Sequence, residues 1–110
     1  MVKQTITNIE ERIRKAESIA EKDRDDLLGL LTTLKSEVIE LSRTHSEHAE
    51  SITGFAQVST HEATRENKNQ RLVKLSLAGL TSSVEELETS YPKLAETVNR
   101  ISQILANMGI

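Results

Sequence analysis

His61 and Glu62 stand in the segment STHEATRENKN, residues 59–69, in the order that opens the zinc-hydrolase motif His-Glu-x-x-His. That motif sets two imidazoles one turn apart on a helix to hold the metal, with the glutamate as general base. Here the position four residues after His61 holds Arg65, whose guanidinium repels a dication. The motif is broken at its decisive ligand. The plainer reading pairs Glu62 with Arg65, or has Glu62 cap a turn, and leaves His61 in a local hydrogen bond. A third reading makes the segment a recognition loop, since it gathers donors, an acceptor and fixed charge in one short polar connection.

His45 and His48 form a second constellation, three residues apart, with Glu47 and Glu50 as the nearest carboxylates. A pair on one helix face can bind a metal, and a dimer would bring two such pairs together. At seam positions, however, histidines commonly act as polar interruptions that set register. If the rings are buried and neutral, protonation below about pH 6.5 would weaken the seam, a pH-sensing variant of the same idea. The remaining candidate is a basic cluster, Arg65, Lys68, Arg71 and Lys74, diluted by Glu62 and Glu66. It has no neighbouring aromatics to stack bases, and the chain carries 14 Lys and Arg against 17 Asp and Glu, so a nucleic-acid partner is disfavoured. Nothing in the chain matches a glycine-rich phosphate loop or a nucleophile elbow. No catalytic residue and no cofactor are expected.

The elements that must carry these residues follow from apolar spacing. Ile6, Ile9, Ile13, Ala16 and Ala20 keep a three-four rhythm, as do Leu27, Leu31, Leu34, Val38 and Leu41. The longest run starts at Val73, Leu77, Leu80 and Val84 and passes through Leu87, Tyr91 and Leu94 to Met108 without a phase slip. This rhythm predicts helices lying side by side, over about residues 3–21, 24–57 and 69–108. Asp23 is the expected cap of the second helix, and Asn67 or Asn69 of the third. Residues 59–69 are the expected polar turn, with Ser59 and Glu62 at capping-box spacing. The second helix should weaken past Leu41, where SRTHSEHAESITGFAQVST lacks strong helix formers.

Pro92 interrupts the third run. Because the apolar register survives it, a kinked rod of about 60 Å is expected rather than a hairpin. Gly109 stands where a helix-ending glycine belongs, and Ile110 could fold back onto Leu105 as in a Schellman cap. Gly29-x-x-x-Thr33 and Gly79-x-x-x-Ser83 offer notches where backbones could approach, unless the glycines are merely tolerated.

Composition supports the class. Of 110 residues 36 % are hydrophobic but only 2 % aromatic, so the core is built from Leu, Ile and Val, which suits helix seams. One proline and four glycines are too little punctuation for an all-β chain. The absence of cysteine removes disulfides and thiolate sites. No apolar run approaches the length of a membrane span, and MVKQTITNIEER lacks the apolar stretch of a signal peptide, so a cytoplasmic protein is expected.

Three stretches, GFAQVSTHEATRENKNQRL, SLAGLTSSVEELETSYPKL and VNRISQILANMGI, together resemble a family of short bacterial proteins catalogued only as a domain of unknown function. The likeness rests on the core His61 to Arg65, Asn69, Ser83 to Glu85, Pro92 and the Gly109-Ile110 ending. It covers roughly the last 60 residues; the N-terminal half is similar only in being helical. The resemblance implies a helical bacterial cytoplasmic protein and supplies no activity, cofactor or catalytic residue.

The expectation is therefore an all-α single domain, an elongated antiparallel bundle resembling a coiled coil. Ile52, Phe55, Leu94, Val98, Ile101 and Leu105 form an outlying seam that would need a second chain, which predicts a homodimer. The expected role is a non-catalytic interaction or scaffold module. Its surface for an unidentified protein partner would include His45, His48, Phe55, His61, Glu62 and Arg65. A metal- or pH-responsive sensor through His45, His48 and His61 is the alternative.

Overall fold

The computed structural model describes residues 1–109. Among them the chain forms α1 (Val2–Lys15), α2 (Glu21–Ser42), α3 (Ser46–Thr64), α4 (Gln70–Glu85) and α5 (Pro92–Met108), with no strand. No helix is long and apolar enough to cross a membrane among these residues. Four helices gather around α3, which packs on α1, α2, α4 and α5. The reason lies in its composition. Its buried positions are Ala49, Ile52, Thr53, Ala56, Ser59, Thr60, Glu62 and Ala63, all small except Ile52 and Glu62. A helix so slender lets four neighbours approach it at once. Two of its buried hydroxyls bond back to the helix: Thr53 donates to the Ala49 carbonyl at 3.1 Å and Ser59 to that of Ala56 at 3.2 Å. The poor helix formers of this stretch mark the most enclosed element.

Larger side chains close the core from outside. Ile6, Ile9 and Ile13 of α1, Leu31 and Leu34 of α2, and Leu80 of α4 are all buried. Each side chain of that size buried from water contributes roughly 1.5–3 kcal/mol. The apolar face of α2 meets α1, α3 and α5.

The expected rod is replaced by a compact body of 37 × 24 × 21 Å with a radius of gyration of 12.8 Å. Two reversals account for the difference. The helix predicted over 24–57 breaks at Arg43-Thr44-His45, so that α2 and α3 fold against each other. Ser42 donates to the Ile39 carbonyl at 2.7 Å, and the His45 amide closes the turn onto Leu41 at 2.8 Å. Side-chain bonds of this kind compete with helix propagation, and no glycine or proline announces them. The helix predicted over 69–108 also divides. Residues 86–91 form a turn, Pro92 takes the first position of α5, where its missing N–H costs nothing, and α5 folds back beside α4. Lys68, just before α4, donates to the Met108 carbonyl at 2.8 Å, so the end of α5 lies at the start of α4. The unbroken apolar register misled because Leu87 is buried within the turn itself.

Smaller corrections follow. The first helix ends at Lys15 rather than near residue 21, because the Arg24 guanidinium takes up the Ala16 carbonyl and, at 3.3 Å, that of Ile13. A cation placed on free carbonyls favours a helix end there. Asp23 does not cap α2; the helix starts at Glu21, with Asp23 in its first turn. The polar turn is 65–69 rather than 59–69, since α3 runs through Thr64 and Ser59 is buried within it. Asn69 does cap α4, accepting from the Arg71 and Leu72 amides at 3.0 and 3.3 Å. Gly109 is right-handed, φ −78°, so its amide continues the helix onto Leu105. The expected fold-back of Ile110 lies outside the described residues.

The supposed dimer seam is also accounted for within one chain. Ile52, Leu94, Val98, Ile101 and Leu105 are buried, and only Phe55 of that set remains exposed.

Candidate interaction surface

Two contacts set the register of α3 against α4. His48 Nε2 lies 3.2 Å from Glu86 Oε2. The Phe55 ring lies over Gly79, where an added Cβ would come within 2.5 Å of its Cδ1. Seven residues forward on α3 thus correspond to seven back on α4, the mark of an antiparallel pair. Gly79 is required by this close approach, because the ring occupies the space of a side chain.

Continuing the register brings Val58 level with Leu75, and Glu62 level with Leu72. Phe55, Val58, Leu72 and Leu75 are exposed at 41, 49, 38 and 58 %. Apart from Met1 they are the large apolar side chains left in solvent among the described residues. Leu72 and Leu75 are exposed because Val73, Ser76, Leu80 and Val84 already take the inward positions of α4. Four apolar side chains from two helices therefore form one stripe. In the opposite direction the register brings Ser51 level with Ser82 and Ser83, which with His48 and Glu86 line a shallow hollow of about 350 Å³. The outer face of the hairpin is raised and apolar at one end and hollow and polar at the other.

The residues singled out by sequence distribute unevenly over this face. Phe55 and His48 lie on it. His45 sits at its margin, its ring 5.9 Å from that of His48 and 5.8 Å from Tyr91, both edge-on. Neither ring is buried: His45 is exposed and the His48 side chain is 38 % exposed, so the buried-histidine condition for a pH-weakened seam is not met. His61 lies 13 residues beyond His48 on the same helix, roughly 20 Å away at about 1.5 Å per residue. The three histidines are not brought together. Among the described residues no group of three or more His, Cys, Asp or Glu is placed to hold a metal ion.

The His-Glu-Ala-Thr part of the opening motif lies on the last turn of α3, and not in a loop. Glu62 Oε1 accepts from Arg65 Nη1 at 3.0 Å, while His61 Nε2 stands 3.9 Å from Glu62 Oε2. Glu62 is buried, so Arg65 neutralises a carboxylate that burial would otherwise disfavour. Thr64 is engaged as well, accepting from Arg12 Nε at 2.7 Å. The Thr64 bond ties the end of α3 to α1. Arg65 and Lys68 of the basic cluster are likewise committed to protein groups, whereas Arg71 and Lys74 project into solvent.

The interaction surface expected from the sequence did not include Val58, Leu72, Leu75 or the serines of the hollow. The signal for the leucines was present: both fall off the phase of the Val73, Leu77 and Leu80 run, and so cannot face the same core. The serines carried no signal, because their proximity depends on how α3 and α4 pair.

Searches among curated proteins and among solved structures gave no match. The profile of the DUF4404 family, a domain of unknown function, matches residues 2–110. The match takes in α1 and α2 as well as the C-terminal stretches that carried the resemblance, and the chain belongs to this family.

Proposed function

We propose that this protein is a non-catalytic helical interaction module whose binding face is the outer side of the α3–α4 hairpin. The observation that carries this reading is the stripe of Phe55, Val58, Leu72 and Leu75, exposed together on one hairpin while, Met1 apart, the other large apolar side chains among the described residues are buried or half-buried. An apolar patch held in water on a rigid helix pair is the usual signature of a surface that is covered in use. The earlier set of surface residues is thereby narrowed. Phe55 and His48 belong to the face, His45 borders it, and His61, Glu62 and Arg65 engage one another at the end of α3.

Capture from the host tests this reading. Tagged wild type, Leu75→Glu, and an Arg100→Glu control on α5 would be used as baits, since Arg100 is exposed on a different helix. The expected result is a bound protein, this chain included, recovered with wild type and control and lost with Leu75→Glu. Identical sets from all three baits would dismiss the face.

The sensor alternative draws on the His48–Glu86 contact alone, which joins two exposed side chains. Contacts of this kind contribute little, and a single histidine with one carboxylate is not a metal site.

A further inference from the structure

We propose that the occupant of the α3–α4 face is a second copy of this chain, docked antiparallel about a two-fold axis that crosses the face at the level of Phe55 and Gly79. The proposal rests on the docking reading above and adds the identity of what docks.

Charge is the first argument. The end of the hairpin near the 65–69 turn presents Arg71 and Lys74 on α4, which has no carboxylate between Gln70 and Ser83. The carboxylates of that end are Glu62, paired with Arg65, and Glu66 in the turn. The far end presents Glu47, Glu50, Glu85, Glu86 and Glu88, with no Lys or Arg among residues 46–51 or 82–88. On the face of α4 that carries Leu75, Arg71 and Glu86 mark the two ends, seven or eight residues either side of Gly79. An axis at Gly79 therefore places Arg71 of one copy beside Glu86 of the other, twice. Parallel stacking would instead oppose like charges.

Shape is the second argument, and it selects the same axis independently. The raised apolar end, Val58 with Leu75, lies three to four residues from the Phe55–Gly79 level. The hollow lies on the other side, with Ser51, Ser82 and Ser83 three to four residues from that level and Glu47, His48 and Glu86 completing its lining. Rotation about that level carries the leucine of each copy into the hollow of the other, while the two Phe55 rings meet at the centre. The face is thus self-complementary, as a two-fold interface requires. Its footprint, roughly 24 Å long at about 1.5 Å per residue and two helices wide, is small. It falls near the low end of specific interfaces, about 1,200 Å² in total, so association is expected at micromolar concentration.

The absence of native cysteine makes the geometry directly testable. In Leu75→Cys/Ser82→Cys the two thiols of one chain are two turns apart, about 10 Å, beyond the roughly 7 Å Cα separation a disulfide can span. Across the proposed axis they are neighbours. Under mild oxidation the double variant should become a covalent dimer at least about tenfold faster than either single variant. Equal rates would overturn the axis. By light scattering between about 5 and about 200 µM, wild type should move from monomer towards dimer. Leu75→Glu should stay monomeric, with an unchanged helical circular-dichroism spectrum because Leu75 is 58 % exposed. Arg71→Glu and Glu86→Arg should each weaken association about tenfold, and the combined swap should restore it. Wild type monomeric throughout this range would overturn the second copy as occupant. The docking reading would then stand or fall separately, on whether Leu75→Glu loses a different captured protein.

Discussion

On α2, Gly29 faces open space, with nothing within 4 Å of an added Cβ; on α4, Gly79 lies beneath the ring of Phe55. Their surroundings are nearly the same in sequence, LLGLLTTL at 27–34 and LAGLTSSV at 77–84, and in each a hydroxyl side chain follows four residues after the glycine. Thr33 and Ser83 even behave alike, bonding back to the carbonyls of Gly29 at 3.3 Å and Leu80 at 2.6 Å. What differs is the neighbour. Gly79 lies where α3 crosses α4, while Gly29 is on the solvent side of α2. A small residue on a helix is a notch only when another element runs over it. The helix starts differ as well: α4 has a capping side chain at Asn69, whereas Ala20 before α2 has none to offer.

This contrast can be broken or sharpened by substitution, read as urea or thermal unfolding. The largest effect should be common to both segments, because Leu31 and Leu80 are equally buried. Leu31→Ala and Leu80→Ala should each cost about 2–5 kcal/mol; a marked inequality would show that the two segments differ in more than their notches. Gly79→Leu should cost about 1–3 kcal/mol by overpacking against Phe55. The same change in a Phe55→Ala background should cost clearly less, and additive costs would mean that the ring does not occupy the notch. At the helix starts, Asn69→Ala should cost about 1 kcal/mol and Ala20→Ser should gain a similar amount or less. Gly29→Ala should likewise stabilise, by about 0.5–1 kcal/mol, since the glycine in α2 answers no contact. A loss of stability there would reveal a neighbour that the fold does not show.

The helical class, most of the inward positions of α1, α2 and α4, and a cap for α4 at one of two asparagines could be read from the chain before its fold was seen. They depend on residues within a few turns of one another. The reversals at 43–45 and 86–91 could not. The first is made by serine, threonine and histidine bonding locally, and these residues are equally at home inside α3. The second hides behind Leu87, which keeps helical spacing while lying in a turn. Pro92 was noticed but misjudged: spacing alone does not separate a kink from a helix start. At the proposed face, Phe55 and His48 had been singled out because their types are uncommon in this chain. Its leucines were passed over because leucine is ordinary, and only the position of the core makes two of them exceptional.

The placement of α3 has a consequence for how the molecule comes apart. Its sequence has little reason to coil alone, being rich in serine, threonine and small residues and interrupted by Gly54. Yet each of the other helices leans on it. The segment with the weakest private preference is the one on which every neighbour depends, so neither end of the chain can keep its shape once the middle lets go. Loss of order is therefore expected as one sharp event rather than a peeling from the termini.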